Sequence, residues 1–241
     1  LLTGIVKRNA HGNILVMVDR AEAVIPTREQ TPRESLKPGD RVRAVLVLVE
    51  KGQRGAQVVL SRSTPELVKL LFRNEVPEIF DGTIEIRAIA REPGSRTKVA
   101  VHSRDSNVDP VGACVGMKGT RVRTVVEELR GEKIDIVRWS EDPEDLCQHA
   151  LNPADILTLT LDEDTKTILV VVPSDQLSLA IGKKGQNARL ASKLVGWNID
   201  IRSDEEMRGG GRDEAGRISA GISEDPAEVV AMNLGGDSSL R

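Results

Sequence analysis

Two short loops of the form Gly-x-x-Gly, each between two helix-like segments, constrain the fold of this sequence more than any other feature. The first loop is residues 116–119, Gly-Met-Lys-Gly, and the second loop is residues 182–185, Gly-Lys-Lys-Gly, 66 residues further on. Apolar residues spaced three and four apart flank both loops, which is typical of amphipathic helices. A repeat of this length indicates two copies of one supersecondary unit.

The two copies match beyond the loops themselves. A strand-like pair of isoleucines follows each one, Ile134 with Ile136 and Ile199 with Ile201. A third Gly-x-x-Gly, at residues 52–55, lies between two strand-like runs and is therefore predicted to be a hairpin turn. The aligned apolar pairs are Val111 with Leu177, Cys114 with Ala180, Val115 with Ile181 and Val125 with Ala191.

The chemistry of both loops suits a phosphodiester backbone. Glycine has no Cβ, so another backbone can approach closely, and the following helix begins with free amides and a positive dipole end. This arrangement resembles the KH domain, whose Gly-x-x-Gly loop holds four nucleotides. We expect backbone amides and lysines to hold phosphates, while Ile181, Gln186 and Asn187 read base edges. The candidate RNA-binding residues are Gly116, Met117, Lys118, Gly119, Arg121, Arg123, Ile181, Gly182, Lys183, Lys184, Gly185, Gln186, Asn187 and Arg189.

The segments around the loops follow the order of bacterial, type II KH domains: helix, strand, strand, helix, loop, helix, strand. We place the first domain, with its leading helix, at residues 63–139 and the second at residues 140–202. The linker between them, Trp139–Asp142, is so short that the two domains are expected to pack in tandem. The predicted elements are strands over 83–90, 98–101, 134–136, 157–161 and 168–172 and a helix over 143–151.

The leading helix is predicted to begin at Pro65, with Ser63 or Thr64 as its cap. Ser63 and Glu66 have the spacing of a capping box. The Val76-Pro77 step ends the helix, because the residue before proline disfavours helical backbone. The predicted inward face consists of Leu67, Leu70, Leu71 and Asn74.

Residues 1–62 contain five short β-branched runs separated by turn residues, which suits a small closed barrel without exposed edges. The stretch resembles the S1 domain, an OB-fold RNA-binding module, in its Pro-Gly-Asp turn at 38–40 and its closing Leu-Ser-Arg at 60–62. It contains no aromatic residue, although base stacking contributes roughly 1–3 kcal/mol per base to single-strand binding. The alternatives are a spacer or docking barrel and weak RNA binding carried by Lys7, Arg8, His11 and Arg28.

Charge is distributed unevenly along the chain. The net charge is −3, but residues 203–241 contribute −5, so the remainder carries +2. Lysine and arginine gather near the two loops, and such a local stripe is the footprint that matters for nucleic acid. Three consecutive glycines at 209–211, scattered acids and a serine-rich end predict a disordered tail over residues 203–241, with a short helix at 226–232.

Composition argues against membrane and secreted classes. No apolar run approaches the roughly 20 residues of a membrane span, and no signal peptide is visible. Cys114 and Cys147 lack Cys-x-x-Cys spacing, so we expect reduced core thiols in a cytosolic protein. Aromatic content is only 2%, so aliphatic residues must fill the cores. The sequence opens inside a strand-like run without an initiator Met, and we therefore expect a fragment of a longer protein.

The predicted multi-domain α+β architecture, an all-β OB-fold barrel followed by two α/β KH domains of type II, resembles the NusA family of bacterial transcription elongation, termination and antitermination factors. The resemblance implies nascent single-stranded RNA as ligand, RNA polymerase and other transcription factors as partners of the full-length protein, and a cytoplasmic location. The family's N-terminal polymerase-binding domain has no counterpart in this sequence. The segments that carry the resemblance are residues 71–72, 75–79, 91–101, 131–136 and 176–190.

The sequence offers little to a catalytic function. No phosphate-binding Gly-x-x-x-x-Gly-Lys-Ser/Thr motif occurs, and the three histidines have no metal-ligand spacing. Cys147 and His149 lie two apart on a predicted helix and so point in different directions. Glu127 and Glu128 are expected on a solvated helix face. We predict a monomeric, non-catalytic RNA-binding platform that needs no cofactor or metal. The alternative is a protein-docking module of the transcription complex with RNA binding secondary.

Overall fold

A computed structural model of the chain describes residues 1–52 and 55–209. The chain forms two compact units, and each unit contains one of the two Gly-x-x-Gly loops. The first unit comprises the described residues of Leu1–Ile84, Arg91–Thr97 and Asp105–Asp135, and the second comprises Glu85–Ala90, Lys98–Arg104 and the described residues from Ile136 onward.

Five strands in the first unit close into a barrel. They are β1 (Leu2–Ala10), β2 (Asn13–Val18), β3 (Ala21–Ile25), β4 (Arg41–Gly52) and β5 (Gly55–Ser61), and they pair in the order β1-β2-β3-β5-β4. The interior is aliphatic, with Val6, Val16, Ile25 and Leu60 almost fully buried. The five-stranded barrel predicted from residues 1–62 is therefore confirmed. Strands β4 and β5 pair out to Gly52 opposite Gly55, and the predicted turn residues Gln53 and Arg54 lie outside the described residues.

The leading helix α1 (Pro65–Glu75) begins where the sequence predicts. Thr64 is its N-cap, and the Thr64 hydroxyl accepts a hydrogen bond from the Glu66 amide at 3.3 Å. The predicted capping box is wrong, because the Ser63 hydroxyl lies 3.3 Å from the hydroxyl of Ser61 and belongs to the preceding turn.

The buried face of α1 also differs from the predicted one. Leu70 is only half-buried and Asn74 is exposed. A further short helix, α2 (Pro77–Phe80), follows directly after Val76, so the Val76-Pro77 step starts a new helical turn as well as ending α1. The side chains that α1 buries are Leu67, Val68, Leu71 and Phe72.

Both copies show the predicted type II order of elements. The first copy continues from α1 and α2 with β6 (Ile84–Glu92), β7 (Arg96–Ser103), α3 (Pro110–Val115), α4 (Thr120–Glu128) and β8 (Lys133–Arg138). The second contains α5 (Pro143–Leu151), β9 (Thr158–Asp162), β10 (Thr167–Val172), α6 (Leu177–Ile181), α7 (Gln186–Val195) and β11 (Asn198–Ser203). The two three-stranded sheets have the orders β6-β7-β8 and β11-β10-β9.

The second unit has a large apolar core shared by strands of the first copy and elements of the second. Ala100 of β7 and Val137 of β8 belong to the same buried cluster as Leu151 of α5, Ile168 of β10 and Leu190 of α7. Burial of this apolar surface is the main favourable term that holds these elements together. The shared core agrees with the tandem packing predicted from the short linker.

A buried arginine joins the barrel to α4 within the first unit. The side chain of Arg62 is 2% exposed and forms ion pairs with Glu34 and, at 3.3 Å, with Glu128 of α4. Burial lowers the pKa of the Arg62 guanidinium, but hydrogen bonds and charge from Glu34 and Glu128 outweigh burial and leave this pKa raised. Arg62 therefore stays charged, and its desolvation is compensated by two carboxylates.

A second buried ion pair fixes the turn between β6 and β7. Arg91 donates two hydrogen bonds of 2.9 Å to the carboxylate of Glu132, and both side chains are almost fully buried. The same carboxylate accepts hydrogen bonds from the Gly94 amide at 2.7 Å and the Thr97 hydroxyl at 2.6 Å. Four donors thus satisfy one buried carboxylate, which is the condition under which a buried charge is tolerated.

The predicted tail over residues 203–241 begins too early. Ser203 and Glu206 form a capping box that starts a short helix, α8 (Asp204–Arg208). The Asp204 carboxylate also accepts hydrogen bonds from the amide and hydroxyl of Ser174, which ties α8 to the second copy. Residues 210–241, including the helix predicted at 226–232, lie outside the described residues.

We predict that Glu132→Gln lowers the free energy of unfolding by about 3 kcal/mol, because Arg91 would be left buried without a counter-charge. Urea denaturation followed by circular dichroism measures the change. The control is Glu22→Gln, which removes an exposed carboxylate paired with Lys7 and should leave the midpoint unchanged. Equal midpoints for the two variants would contradict the role given to the buried pair.

Candidate nucleic-acid interface

The two loops have the same backbone conformation. The first glycines, Gly116 and Gly182, have φ/ψ of 75°/171° and 76°/172°. The third residues, Lys118 and Lys184, have 52°/26° and 54°/30°, and the closing glycines follow with 75°/18° and 73°/12°. These unusual dihedral pairs, at the first, third and fourth loop positions, agree to within 6°, so the sequence repeat is also a repeat of loop geometry.

The first glycine of each loop is required by a close approach as well as by its dihedrals. A Cβ on Gly182 would lie 2.8 Å from the Cβ of Asn187 and 2.9 Å from its amide nitrogen. A Cβ on Gly116 would lie 2.7 Å from the Cγ of Arg121. In both copies the residue five positions after the first glycine therefore packs where a side chain would otherwise be.

Several of the amides expected to hold phosphate are used inside the loop. The amides of Gly119 and Gly185 donate to the carbonyls of Gly116 and Gly182 at 3.0 and 3.1 Å. The amide that follows each closing glycine donates to the carbonyl of the second loop residue. These bonds make the loop a tight turn, so the lysine side chains, more than the loop amides, remain candidates for contact with phosphate.

Lysine side chains project from both loops. Lys118, Lys183 and Lys184 are exposed, and within residues 1–52 and 55–209 no carboxylate pairs with them. Lys118 and Lys184 occupy left-handed backbone conformations that an arginine from the next helix supports. Arg123 donates to the Lys118 carbonyl at 3.4 Å, and Arg189 donates to the Lys184 carbonyl at 3.2 Å. The expected basic loops are therefore present, with both arginines also fixing the loop backbone.

Arg121 and Asn187, two of the candidate binding residues, instead bridge the helices on either side of their loops. Arg121 donates to the Ala113 carbonyl at 2.7 Å and forms an ion pair with Glu78 of α2 at 3.0 Å. Asn187 is buried, and its amide nitrogen donates to the Ala180 carbonyl at 3.0 Å. The structure thus gives both residues a positioning role. Their matched place five residues after the first glycine is the sequence signal that points to it.

The remaining candidates lie at the edge of the second loop. Ile181 is half-buried and packs on the apolar core of the second unit. Gln186 is also half-buried, and it already interacts with another residue of the chain. Met117 is 83% exposed in the first loop. Base reading by Ile181 and Gln186 stays a prediction.

The barrel presents a different surface. Lys7 forms an ion pair with Glu22 at 2.8 Å, and Arg28 lies 3.7 Å from Glu29. Both cations therefore have an acidic neighbour, so they attract phosphate less strongly than the loop lysines do. Weak RNA binding by the barrel stays a prediction.

Among residues 1–52 and 55–209, no three His, Cys, Asp or Glu side chains converge as metal ligands would. No helix in this described part of the chain is both long and apolar enough to cross a bilayer.

We predict that Gly182→Ala lowers the free energy of unfolding by ~3 kcal/mol, because the new Cβ meets Asn187 in a backbone region that L-residues avoid. Gly196→Ala is the control. Gly196 has a similar φ of 77° but a ψ of 17°, a left-handed conformation that L-residues can adopt, and a Cβ there would meet nothing within 4 Å, so we expect a cost of ~1 kcal/mol. Thermal denaturation of both variants measures the difference, and equal losses would contradict the requirement for glycine that the dihedrals of Gly182 and its contact with Asn187 together impose.

Models of known protein families match both copies. The model of the NusA-like first KH domain matches residues 62–139, and the model of the NusA-like second KH domain matches residues 143–208. The second match includes α8, in agreement with its hydrogen bonds to Ser174.

Curated relatives align with most of the chain. The transcription termination/antitermination protein NusA of Halalkalibacterium halodurans is 53% identical over 208 residues, covering 86% of this chain and 54% of the relative. The proteins of the same name from Bacillus subtilis and Thermus thermophilus are 51% and 46% identical, covering 86% and 89% of this chain and 56% and 57% of the relatives. The chain thus spans about half the length of the curated relatives it matches.

A solved structure described as the crystal structure of APE1850 is 24% identical and covers 57% of this chain and 96% of its own, with a TM-score of 0.43. A likeness at that level carries no argument. The assignment depends on the two KH matches and on relatives that are about half identical across most of the chain. On these findings the chain belongs to the NusA family.

Proposed function

We propose that the chain binds single-stranded RNA through residues 116–119 and 182–185 and thereby regulates transcription elongation, pausing, termination and antitermination through nascent RNA. The observation that carries the proposal is the duplicated loop, with its matching backbone and its exposed, unpaired lysines. A glycine-bounded turn with projecting lysines is the arrangement by which KH domains hold a stretch of nucleotides. The names of the relatives support the link to termination and antitermination.

The proposal extends to partners and location. RNA polymerase and other transcription factors would be the protein partners, because the relatives are named for steps that the transcription complex performs. We propose a cytoplasmic, monomeric protein whose activity is binding rather than catalysis. Each loop would contribute one short RNA-binding segment, and phosphate contacts would position the RNA while base contacts specify it.

The direct test replaces Lys183 and Lys184 with Asp. Charge reversal at two exposed loop residues should weaken binding to an unstructured RNA of about 12 nucleotides by at least tenfold and reduce the slope of log affinity against log salt by about 1.4. Fluorescence anisotropy at ~50 and ~200 mM salt gives both quantities.

The control for that test is Lys37→Asp/Lys133→Asp, which makes the same change in net charge at two exposed positions outside the loops. It should leave affinity close to that of the wild type. If the loop and control variants bind alike, the loops are not the site. The alternative of a protein-docking module with secondary RNA binding would then take precedence.

The two thiols provide a test of the non-catalytic proposal. Burial raises the pKa of Cys147 to about 12, and burial together with the charge of Glu78 raises the pKa of Cys114 to about 12. At pH 8 the thiolate would then be about one in ten thousand of each thiol, so neither is a competent nucleophile.

We therefore expect a chromogenic disulfide reagent to label neither cysteine in the folded protein at pH 8 and both after addition of urea. The absorbance of the released thiolate measures the number of labelled residues. Rapid labelling of either cysteine before unfolding would contradict the proposal and would reopen the question of a reactive thiol.

A further inference from the structure

The two loops differ at one residue. Residues 116–119 and 182–185 share both glycines and the lysine at the third position, whereas the second position is Met117 in one loop and Lys183 in the other. The backbone dihedrals at the first, third and fourth positions agree to within 6°, so the second position lies between residues of the same conformation in both copies. The difference between the loops is therefore one of side-chain chemistry alone.

Met117 projects into solvent. Its side chain is 83% exposed, the largest value among the large apolar residues of the described chain. The structure does not use it for packing, although methionine usually fills gaps in apolar cores. Lys183 is likewise exposed. In both copies this side chain is thus available to whatever the loop binds.

Charged residues near the first loop do not compensate for the lysine that this loop lacks at position 117. Arg121, which follows the first loop, is paired with Glu78 at 3.0 Å and with the Ala113 carbonyl. The corresponding residue after the second loop is the uncharged Asn187. Lys118 matches Lys184 in charge and backbone conformation. The second loop therefore offers a ligand one more lysine, and the first offers an apolar thioether in its place.

We propose that the two loops divide the work of RNA recognition: Met117 makes an apolar contact with a nucleobase, whereas Lys183 pairs with a phosphate. This inference rests on the proposed function, and it adds that the first loop contributes base contact and the second contributes charge. A thioether gains favourable contact with an aromatic ring, often at the ring edge, and has no charge to attract phosphate. An ammonium group is attracted to phosphate whatever the base.

The two contacts have different experimental signatures. Loss of a phosphate contact weakens binding to all RNAs alike and lowers the salt slope by about 0.7. Loss of a thioether contact with a base weakens binding by roughly 2- to 12-fold without changing the salt slope. It also alters the ranking of RNAs that differ only in their bases, because base contacts carry the sequence information.

The experiment uses four variants of the whole chain: Met117→Ser, Met117→Leu, Lys183→Met and Met117→Lys. Each is titrated with oligo(A), oligo(U) and oligo(C) of about 12 nucleotides at ~50 and ~200 mM salt. Met117→Ser should lower the affinity for RNA, reduce the differences in affinity among the three RNAs and leave the salt slope unchanged. Met117→Leu should retain most of the affinity. Lys183→Met should lower the slope by about 0.7, and Met117→Lys should raise it by as much.

The outcomes separate this inference from the proposed function. If Lys183→Met behaves as expected but Met117→Ser binds all three RNAs like the wild type, the division of work is wrong and RNA binding stands. The same conclusion follows if Met117→Ser changes only the salt slope, because that slope reports phosphate contacts and not base contacts. If neither Met117→Ser nor Lys183→Met alters binding, the division of work fails at both loops, and the Lys183→Asp/Lys184→Asp variant decides separately whether the loops bind RNA at all. Equal melting temperatures for all variants confirm that the exposed substitutions leave the fold intact.

Discussion

The close approach between the first glycine of each loop and the side chain five residues later is the contact on which the candidate site depends. Because the backbone at Gly182 lies against Asn187, and that at Gly116 against Arg121, each loop must turn within four residues. That turn places the third residue in a left-handed conformation and directs the lysines outward. The basic surface is therefore a product of packing between two helices, not of the loop residues alone.

Buried ion pairs fix other parts of the first unit. Arg62 joins the barrel to α4, and Arg91 joins Glu132 to the turn between β6 and β7. Each pair costs desolvation, so its net contribution to stability is small. Its geometric effect is larger, because a buried guanidinium with several fixed acceptors has few alternative positions.

Local sequence patterns were enough to predict the closed barrel, the element order of both KH domains and the exposed lysines, because periodicity and glycine spacing depend on residues close in the chain. They were not enough for contacts between distant residues. Arg121 was expected among the RNA-binding residues, but its partner Glu78 lies 43 positions earlier on a helix that was not predicted. The inward face of α1 was misassigned at Leu70 and Asn74 because the tertiary surroundings, not the helical period alone, decide which residues are covered.

The bridging residue after each loop sets the smallest part of the chain that can be considered one structural unit. Four residues, from glycine to glycine, do not contain the side chain against which the first glycine packs. Six residues do, from Gly116 to Arg121 or from Gly182 to Asn187. In the first copy even six are incomplete, because Arg121 is itself anchored by Glu78. Of the two loops, the second is therefore the more self-contained and the better starting point for transfer into a foreign helical scaffold.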